Sequence, residues 1–341
     1  MNVERFTELA ARYGSLHLGV LGDFCLDRYF EIDPARQETS IETGRTVHNV
    51  VRVRSQPGGA GTVLSNLSAL GVGRITPIGF CGDDGEGYEL RRALNTRPGV
   101  ELTHFHTTPL RCTFTYGKPL VVEAGREPVE LERLDIKNWT ATPRELEGAL
   151  IASLESVFDH LDALIVLDQV DAAETGVVTR RVLEAVDRLA QTGGGKLVLA
   201  DSRRGLGDYP PLAYKMNANE MAVMAATSAD APLDHIRRAC AALAHRTGAP
   251  AFVTLAERGI VGASPRGAVE HCPAHAVRGP IDIVGAGDAV TANLVAALAA
   301  GGDLREALTL AMAAASIVVH ALGTTGAATC EQIAGLVSGE W

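Results

Sequence analysis

The segment Asp282-Ile-Val-Gly-Ala-Gly-Asp288 and the alanine-rich stretch AVTANLVAALAAG at 289–301 carry the strongest signal in this chain. Gly285 and Gly287 allow the backbone to turn sharply into a helix, so free N–H groups and the positive end of the helix dipole face an anion. A carboxylate at Asp288 fits there if it accepts a proton from a hydroxyl that attacks the anion. A plain helix start with Asp288 as a cap gives the same local pattern, so the rest of the chain has to distinguish the two.

Short apolar runs alternate with longer helical patterns over most of the sequence. LHLGVLGD at 16–23, DALIVLD at 162–168 and KLVLAD at 196–201 each predict a buried strand, and a helical pattern at 174–191 separates the last two. Alternation of this kind is typical of βαβ units. It predicts an α/β fold with a central, mainly parallel sheet and helices on both faces.

Two segments, 31–56 and 103–134, interrupt this alternation with strand patterns joined by Gly and Pro turns. They predict a small antiparallel β lid. The expected α/β core, with the nucleotide and catalytic site, comprises residues 1–30, 57–102 and 135–341. His104 and His106 share one face of a predicted strand, but with no third ligand nearby a polar strand face is a better interpretation than a metal site.

Composition narrows the class of protein. The chain has 341 residues, of which 46% are hydrophobic, and a net charge of −10 with both signs interspersed. A large core is therefore expected, and nucleic acid is not an expected partner. No apolar run approaches the ~20 residues of a membrane span, and the N-terminus has an amphipathic helical pattern, so we expect no membrane partner and a cytoplasmic location. The six cysteines are scattered singly, as expected of buried or partly buried free thiols.

The segment Asp282–Asp288 resembles the C-terminal signature of the ribokinase (PfkB) family of carbohydrate kinases, D-(T/S)-x-G-A-G-D, with Ile283 as the departure. The other motifs occur in the family's order. They are the first strand LGDFCLDRYF with Asp27, the glycine pair in PGGAGTVLSNLSALG at 57–71, the N-x-x-E element in KMNANE, and the nucleotide-binding strand and turn VTLAERG. The resemblance implies a ribokinase-like fold and ATP-dependent phosphorylation of a sugar hydroxyl.

The resemblance also implies a role for each matching residue. The catalytic residues would be Asp288, as the base, and an anion hole of Gly285, Ala286 and Gly287. The sugar would be held by Asp27, Gly58, Gly59, Thr62 and Asn66, although the family usually has asparagine where Thr62 stands. The nucleotide site would comprise Asn217, Glu220, Thr254, Gly259, Asp282 and Gly323. Glu220 would order Mg²⁺ through water, and Asp282 would lie by a monovalent cation such as K⁺.

Within the family, GDFCLDRYF at 22–30, the PGGA turn and VVHALGTTGA at 318–327 are similar to the heptose phosphate kinase branch, the kinase domain of ADP-heptose synthase. A sugar or sugar phosphate is the expected partner, and a homodimer that pairs the lids is expected to cover their exposed faces. Five lid arginines, Arg28, Arg36, Arg45, Arg111 and Arg133, could form a phosphate clamp, but solvated side chains are the more common role of lid arginines.

Two alternatives stay open at this point. A nucleoside or vitamin kinase of the same fold would need an aromatic pocket near Asp27, which Phe24, Tyr29 and Phe30 partly supply. A non-catalytic sugar-binding relic of a kinase is the other, and the intact Asp288 argues against it. The chain has no G-x-x-x-x-G-K-(S/T) run and no G-x-G-x-x-G after its first strand, so P-loop and dinucleotide-binding enzymes are disfavoured.

Overall fold

The computed structural model describes residues 1–339, which alternate between strands and helices. The strands are β1 (His17–Gly22), β2 (Phe24–Ile32), β3 (Glu38–Thr39), β4 (Thr46–Val47), β5 (Val50–Gly59), β6 (Arg74–Gly82), β7 (Phe105–Thr108), β8 (Phe114–Val121), β9 (Val129–Glu130), β10 (Leu134–Ile136), β11 (Ala163–Asp168), β12 (Leu197–Ser202), β13 (Ala213–Asn217), β14 (Ala251–Thr254), β15 (Ile260–Ala263) and β16 (Val269–Cys272). The helices are α1 (Val3–Tyr13), α2 (Ala60–Ala69), α3 (Gly85–Asn95), α4 (Arg144–Val157), α5 (Arg180–Thr192), α6 (Ala218–Ala225), α7 (Leu233–Thr247), α8 (Ala286–Ala299), α9 (Leu304–Val318) and α10 (Cys330–Ser338).

A nine-stranded sheet with the order β16-β15-β14-β13-β12-β11-β1-β6-β7 forms the centre of the molecule. The strands from β14 to β7 are parallel, and β15 and β16 extend the sheet antiparallel. All six residues of β1 are buried, because the apolar faces of α2, α8 and α9 pack on one side of the sheet and those of α4, α5 and α7 on the other. The predicted parallel sheet with helices on both faces is confirmed.

A five-stranded sheet with the order β10-β8-β2-β5, and β9 beside β8, lies apart from the large one. The chain leaves β1, passes Asp23 and continues directly into β2, so the small sheet is connected to the large one at β1, the third strand from the β7 edge. Its pairs are antiparallel except for β2 with β8. This long continuation is why the small sheet begins at Phe24 rather than near residue 31.

The predicted segment 103–134 also divides differently. Phe105–Thr108 pairs in parallel with β6 and completes the large sheet, whereas Phe114 onward belongs to the small one. His106 on this edge strand bonds through Nε2 to Ser153 Oγ of α4 at 2.9 Å, a polar contact between strand and helix. No group of His, Cys, Asp or Glu within residues 1–339 has the arrangement of a metal site.

All six cysteines lie within the described range and have free thiols, as predicted. Five of them are buried or partly buried, whereas Cys112 is exposed, which corrects the expectation for that residue. Among residues 1–339, no helix combines the length and the apolar character that crossing a membrane requires.

Candidate active site

The candidate site lies where the carboxyl ends of the central parallel strands meet the start of α8. Ligands of open α/β sheets bind at this edge, because the loops that follow the strands diverge there. Three residues mark the place: Asp201 near the end of β12, Lys215 near the end of β13 and Asp288 in the first turn of α8. The small sheet contributes Asp27, whose charge is close enough to raise the pKa of Asp288.

The turn into α8 depends on Gly285, which has a φ of +84° and caps the helix. A Cβ there would adopt a disfavoured backbone conformation and would lie 3.3 Å from Cβ of Thr325 and 3.5 Å from Cγ2 of Thr62. The N–H of Ala286 bonds to the carbonyl of Ile283 at 3.2 Å.

Ala286 is therefore not a free donor, in contrast to its expected place in an anion hole. Within the described residues, the N–H groups of Gly285, Gly287 and Asp288 have no hydrogen-bond acceptor. These are the donors that the turn offers to an anion.

Asp288 is half-buried, and no group in residues 1–339 forms a hydrogen bond with its carboxylate. Burial raises the pKa of Asp288 to about 7, the Lys215 cation opposes this rise, and the negative charges of Asp201 and Asp27 add to it. An unbonded carboxyl with a pKa near neutrality has the properties of a general base.

Beneath the turn lies a buried ion pair that sequence reasoning missed. Lys215 Nζ donates to Asp201 Oδ2 at 2.8 Å, and Thr291 Oγ1 of α8 donates to the same oxygen at 3.1 Å. A Cβ on Gly287 would lie only 3.2 Å from Lys215 Nζ, so the ammonium group sits directly under the turn and adds positive charge there. The available signal was a lysine in the otherwise apolar strand end before Asn217, where an unpaired lysine is rare.

At the other side of the cleft, β2 positions Asp27 next to the glycine pair of β5. Asp27 is buried, and a Cβ on Gly58 would lie 3.0 Å from its carboxyl carbon, so the glycine leaves that carboxyl room. Gly59 follows with a φ of +57°, and a Cβ there would lie 2.6 Å from the carbonyl oxygen of Asp23. The structure thus brings these three predicted substrate residues together.

Asp27 has a cationic partner that the sequence did not reveal. Lys118 of β8 lies with Nζ 3.6 Å from Asp27 Oδ1, and it donates to Tyr29 Oη at 3.3 Å. Burial raises the pKa of Asp27, and the Lys118 cation acts against that rise. Lys118 is itself buried, so both members of this ion pair are buried in the small sheet.

Thr62 and Asn66 are less accessible than expected of sugar ligands. Thr62 is 2% exposed and packs its methyl group toward Gly285. Asn66 is completely buried, and its amide donates to the carbonyl oxygens of Thr62 at 3.0 Å and Gly326 at 3.5 Å. The structure therefore places Asn66 in the packing between α2 and the loop after α9 rather than in the wall of the cleft.

Asn217 and Glu220 form a capping box at the start of α6. Asn217 Oδ1 accepts from the N–H of Glu220 at 3.0 Å, and Glu220 Oε2 accepts from the N–H of Asn217 at 2.7 Å. Among residues 1–339, no group forms a hydrogen bond with the second oxygen of Glu220, and burial raises the pKa of this carboxyl. Thr254 pairs with Asn217 across β13 and β14, so it lies at the same edge.

Gly259 and Gly323, two of the residues predicted for the nucleotide site, occupy turns with positive φ. Gly259 has a φ of +89°, and a Cβ there would overlap the carbonyl oxygen of Cys272. Asp282 accepts from the N–H of Val284 at 3.0 Å and from the N–H of Gly323 at 3.2 Å. Asp282 thus connects the turn into α8 with the loop after α9.

Solved structures show the class of fold. Arabidopsis thaliana ribokinase complexed with ribose and ATP superposes with a TM-score of 0.65 at 18% identity, covering 94% of this chain and 98% of that chain. Phosphofructokinase-2 from Escherichia coli gives 0.69 at 18% identity, covering 95% and 98%. The predicted ribokinase-like fold is confirmed.

The family described as pfkB family carbohydrate kinase matches residues 160–330, and the chain belongs to this family. Bifunctional protein HldE of Azorhizobium caulinodans is 30% identical over 308 residues, covering 90% of this chain and 61% of that protein. The protein of the same name from Caulobacter sp. is 32% identical over 333 residues, covering 94% and 62%. The chain thus spans about three fifths of the length of these relatives.

Proposed function

We propose that the chain transfers the terminal phosphoryl group of ATP to a hydroxyl of a sugar phosphate, with Asp288 as the general base. The observation that carries this proposal is the carboxyl of Asp288, unbonded and with a pKa of about 7, beside free N–H groups at the start of α8. Asp288 accepts the proton of the acceptor hydroxyl. The resulting oxygen bonds to the terminal phosphorus as the bond from that phosphorus to the oxygen of the leaving ADP breaks.

Groups of the chain itself stabilise the negative charge of the transferring phosphoryl group. The N–H groups of Gly285 and Gly287 donate to the transferring phosphoryl group, and Lys215 beneath them adds a positive charge that stays fixed by its bond to Asp201. Because Lys215 bonds to Asp201 and not to Asp288, the base remains free for the substrate. Asp27 binds acceptor hydroxyls and orients one of them toward Asp288.

The residues on the nucleotide side fit ATP with Mg²⁺. The free oxygen of Glu220 is a hard ligand of the kind that Mg²⁺ prefers, and it would hold the ion through water. When bound, Mg²⁺ neutralises phosphate charge. Thr254, Gly259 and Gly323 would contact the nucleotide. We extend the proposal to a monovalent cation near Asp282, since the Escherichia coli phosphofructokinase-2 in complex with potassium shares the fold at a TM-score of 0.68.

The acceptor is proposed to carry a phosphate because cations surround the Asp27 end of the cleft. Lys118 Nζ and the guanidinium carbon of Arg54 lie 4.8 and 4.7 Å from the ring centroid of Tyr29, on the same sheet as Asp27, and Arg54 also pairs with Glu31 at 2.6 Å. Arg133 lowers the pKa of Asp27 by its charge, after the larger effects of burial and Lys118. The resemblance to the heptose phosphate kinase branch makes a heptose phosphate the first acceptor to test.

Of the five lid arginines, we propose Arg133 for the phosphate clamp because its charge acts on Asp27; it also pairs with Asp135 at 3.0 Å. Arg28 instead pairs with Glu86 of α3 at 2.8 Å, and Arg111 is buried and donates to a threonine. A nucleoside kinase would need an aromatic pocket near Asp27. Phe24 does not contribute to such a pocket, because it is buried in the core against Phe105.

A homodimer through the small sheet is part of the proposal. The edge strand β5 leaves Val50, Val51 and Val53 with exposures of 44%, 50% and 46%, and Leu134 of β10 is 68% exposed. An edge strand with exposed valines favours pairing with a second copy. A strictly monomeric mass in sedimentation at working concentration would contradict it.

The test of the activity is release of ADP from ATP and Mg²⁺ across free and phosphorylated sugars, heptoses included, with nucleosides as controls. We expect turnover with a sugar phosphate and a loss of about 10² or more in kcat for Asp288→Asn, with ATP binding retained. Asp234→Asn, a change in the exposed first turn of α7, serves as the matched control and should leave kcat unchanged. Turnover by Asp288→Asn at the wild-type rate would refute the assignment of the base.

A further inference from the structure

Gln56 of β5 connects the small sheet to the loop that follows α9. Its Nε2 donates to Thr325 Oγ1 at 2.6 Å and to Tyr29 Oη at 3.3 Å, and its Oε1 accepts from Thr324 Oγ1 at 2.7 Å. Both ends of the amide are therefore used, and Thr324 and Thr325 lie more than 260 residues further along the chain. Gln56 pairs directly with Asp27 across β5 and β2, so this contact is made beside the acceptor-binding carboxylate.

The loop that Gln56 contacts also touches the turn into α8. A Cβ on Gly285 would lie 3.3 Å from Cβ of Thr325, so the threonine packs directly on the anion-binding turn. The N–H of Gly323, in the same loop, donates to Asp282 Oδ2 at 3.2 Å. A shift of this loop would therefore change the positions of the N–H donors in the turn at Gly285.

Polar contacts also connect Gln56 with Asp27, through Tyr29 and Lys118. Tyr29 Oη, which accepts from Gln56, also accepts from Lys118 Nζ at 3.3 Å, and Lys118 lies 3.6 Å from Asp27 Oδ1. One continuous polar path thus runs from Asp27 through Gln56 to the loop on the Gly285 turn.

We propose that Gln56 is a positioning residue that sets the distance between the acceptor and the transferring phosphoryl group. It holds the small sheet against residues 323–326, so the hydroxyl beside Asp27 lies in line with the phosphoryl group at Gly285 and water is kept out between them. This inference rests on the proposed function. Its consequence is that loss of Gln56 leaves the base intact but lets water compete with the acceptor for the phosphoryl group.

Ser55, the preceding residue, offers a matched control. Its side chain leaves the opposite face of β5, and its Oγ donates to Glu89 Oε2 of α3 at 2.7 Å. Ser55→Ala therefore removes a bond between the same strand and the core without touching the loop at 323–326. If general loosening of the small sheet were enough to disturb transfer, Ser55→Ala would behave like Gln56→Leu.

The experiment compares wild type, Gln56→Leu, Ser55→Ala and the double variant Thr324→Val with Thr325→Val. The measurements are KM for acceptor and for ATP, and the ratio of ATP hydrolysed to acceptor phosphorylated. For Gln56→Leu we expect acceptor KM and the hydrolysis ratio to rise about tenfold. Ser55→Ala should match wild type, and adding Gln56→Leu to the double threonine variant should have no further effect.

Hydrogen exchange gives a readout that does not depend on turnover. Gln56→Leu should increase exchange at 323–326 as well as in β5, whereas Ser55→Ala should leave 323–326 as in wild type. A wild-type hydrolysis ratio in Gln56→Leu, or equal effects of Gln56→Leu and Ser55→Ala, overturns the inference. Failure of wild type and Ser55→Ala to phosphorylate any acceptor overturns the proposed function instead, so the two failures are distinguishable. If Gln56→Leu does not fold, the double threonine variant carries the same test.

Discussion

Asp288→Asn is expected to make the protein more stable while it removes activity. Burial and neighbouring carboxylates raise the pKa of Asp288 from 3.8 to about 7, which corresponds to about 4 kcal/mol of unfavourable free energy when the group is ionised in the folded state. The carboxyl is partly open to water, and the first turn of α8 favours negative charge by about 0.3–1 kcal/mol. We therefore expect a gain of about 1–3 kcal/mol for the neutral amide.

The pH dependence gives this expectation its sign. Below about pH 4, Asp288 is protonated in both the folded and the unfolded chain, so its ionisation costs nothing. Between pH 4 and 7 the unfolded chain ionises first and wild type loses stability, and above pH 7 the loss is complete. The advantage of Asp288→Asn is therefore larger at pH 8 than at pH 5.

Urea unfolding at pH 5 and pH 8 measures this difference, with Asp234→Asn as the control. Asp234 also lies in the first turn of a helix, but its side chain is 79% exposed and its only described ion pair, with Arg237, is 3.8 Å long. Its change should alter stability by no more than about 0.5 kcal/mol, equally at both pH values. If Asp288→Asn were no more stable than wild type at pH 8, or if its gain were the same at pH 5, the argument from burial would be refuted.

Two further changes test the network around this base. Lys215→Met should destabilise the fold by about 3–5 kcal/mol in urea unfolding, because it leaves Asp201 buried without its cation. The same change should move the pH profile of kcat/KM to higher pH, since Lys215 lowers the pKa of Asp288. Asn217→Ala should cost about 1 kcal/mol and raise KM for ATP. Thr329→Ala removes the capping box of α10 at the same cost, and a changed KM there would contradict the nucleotide role of Asn217.

The parts of the fold that the sequence predicts are those with local signals. β1, β11 and β12 are continuous apolar runs, and burial on both faces by helices is what such runs require. Strand pairing at the edge has no such signal. Phe105–Thr108 alternates like a lid strand, yet it pairs with β6 because the chain from α3 returns to that edge.

The residues of the candidate site also differ in whether a local sequence signal predicts them. The turn at Gly285 was predictable, because a glycine is needed for a positive φ in front of a helix. Lys118, Lys215 and Gln56 were not singled out, since each acquires its role from a partner far away in the chain, as Gln56 does from Thr325. Asn66 shows the converse: its position in a motif suggests a ligand, and only the packing around α2 shows that its amide is buried.

The two carboxylates of the cleft are not equivalent, and the difference supports the proposal that Asp288 is the base. Burial raises the pKa of both Asp27 and Asp288, and each has a lysine nearby that opposes the rise. Lys118 pairs with Asp27 itself at 3.6 Å, so a fixed cation stands beside that carboxyl, which is suited to binding hydroxyls. Lys215 instead bonds to Asp201, so Asp288 has no hydrogen bond from residues 1–339 and has a pKa of about 7. A group that must accept a proton near neutral pH needs that freedom, and of these two only Asp288 has it.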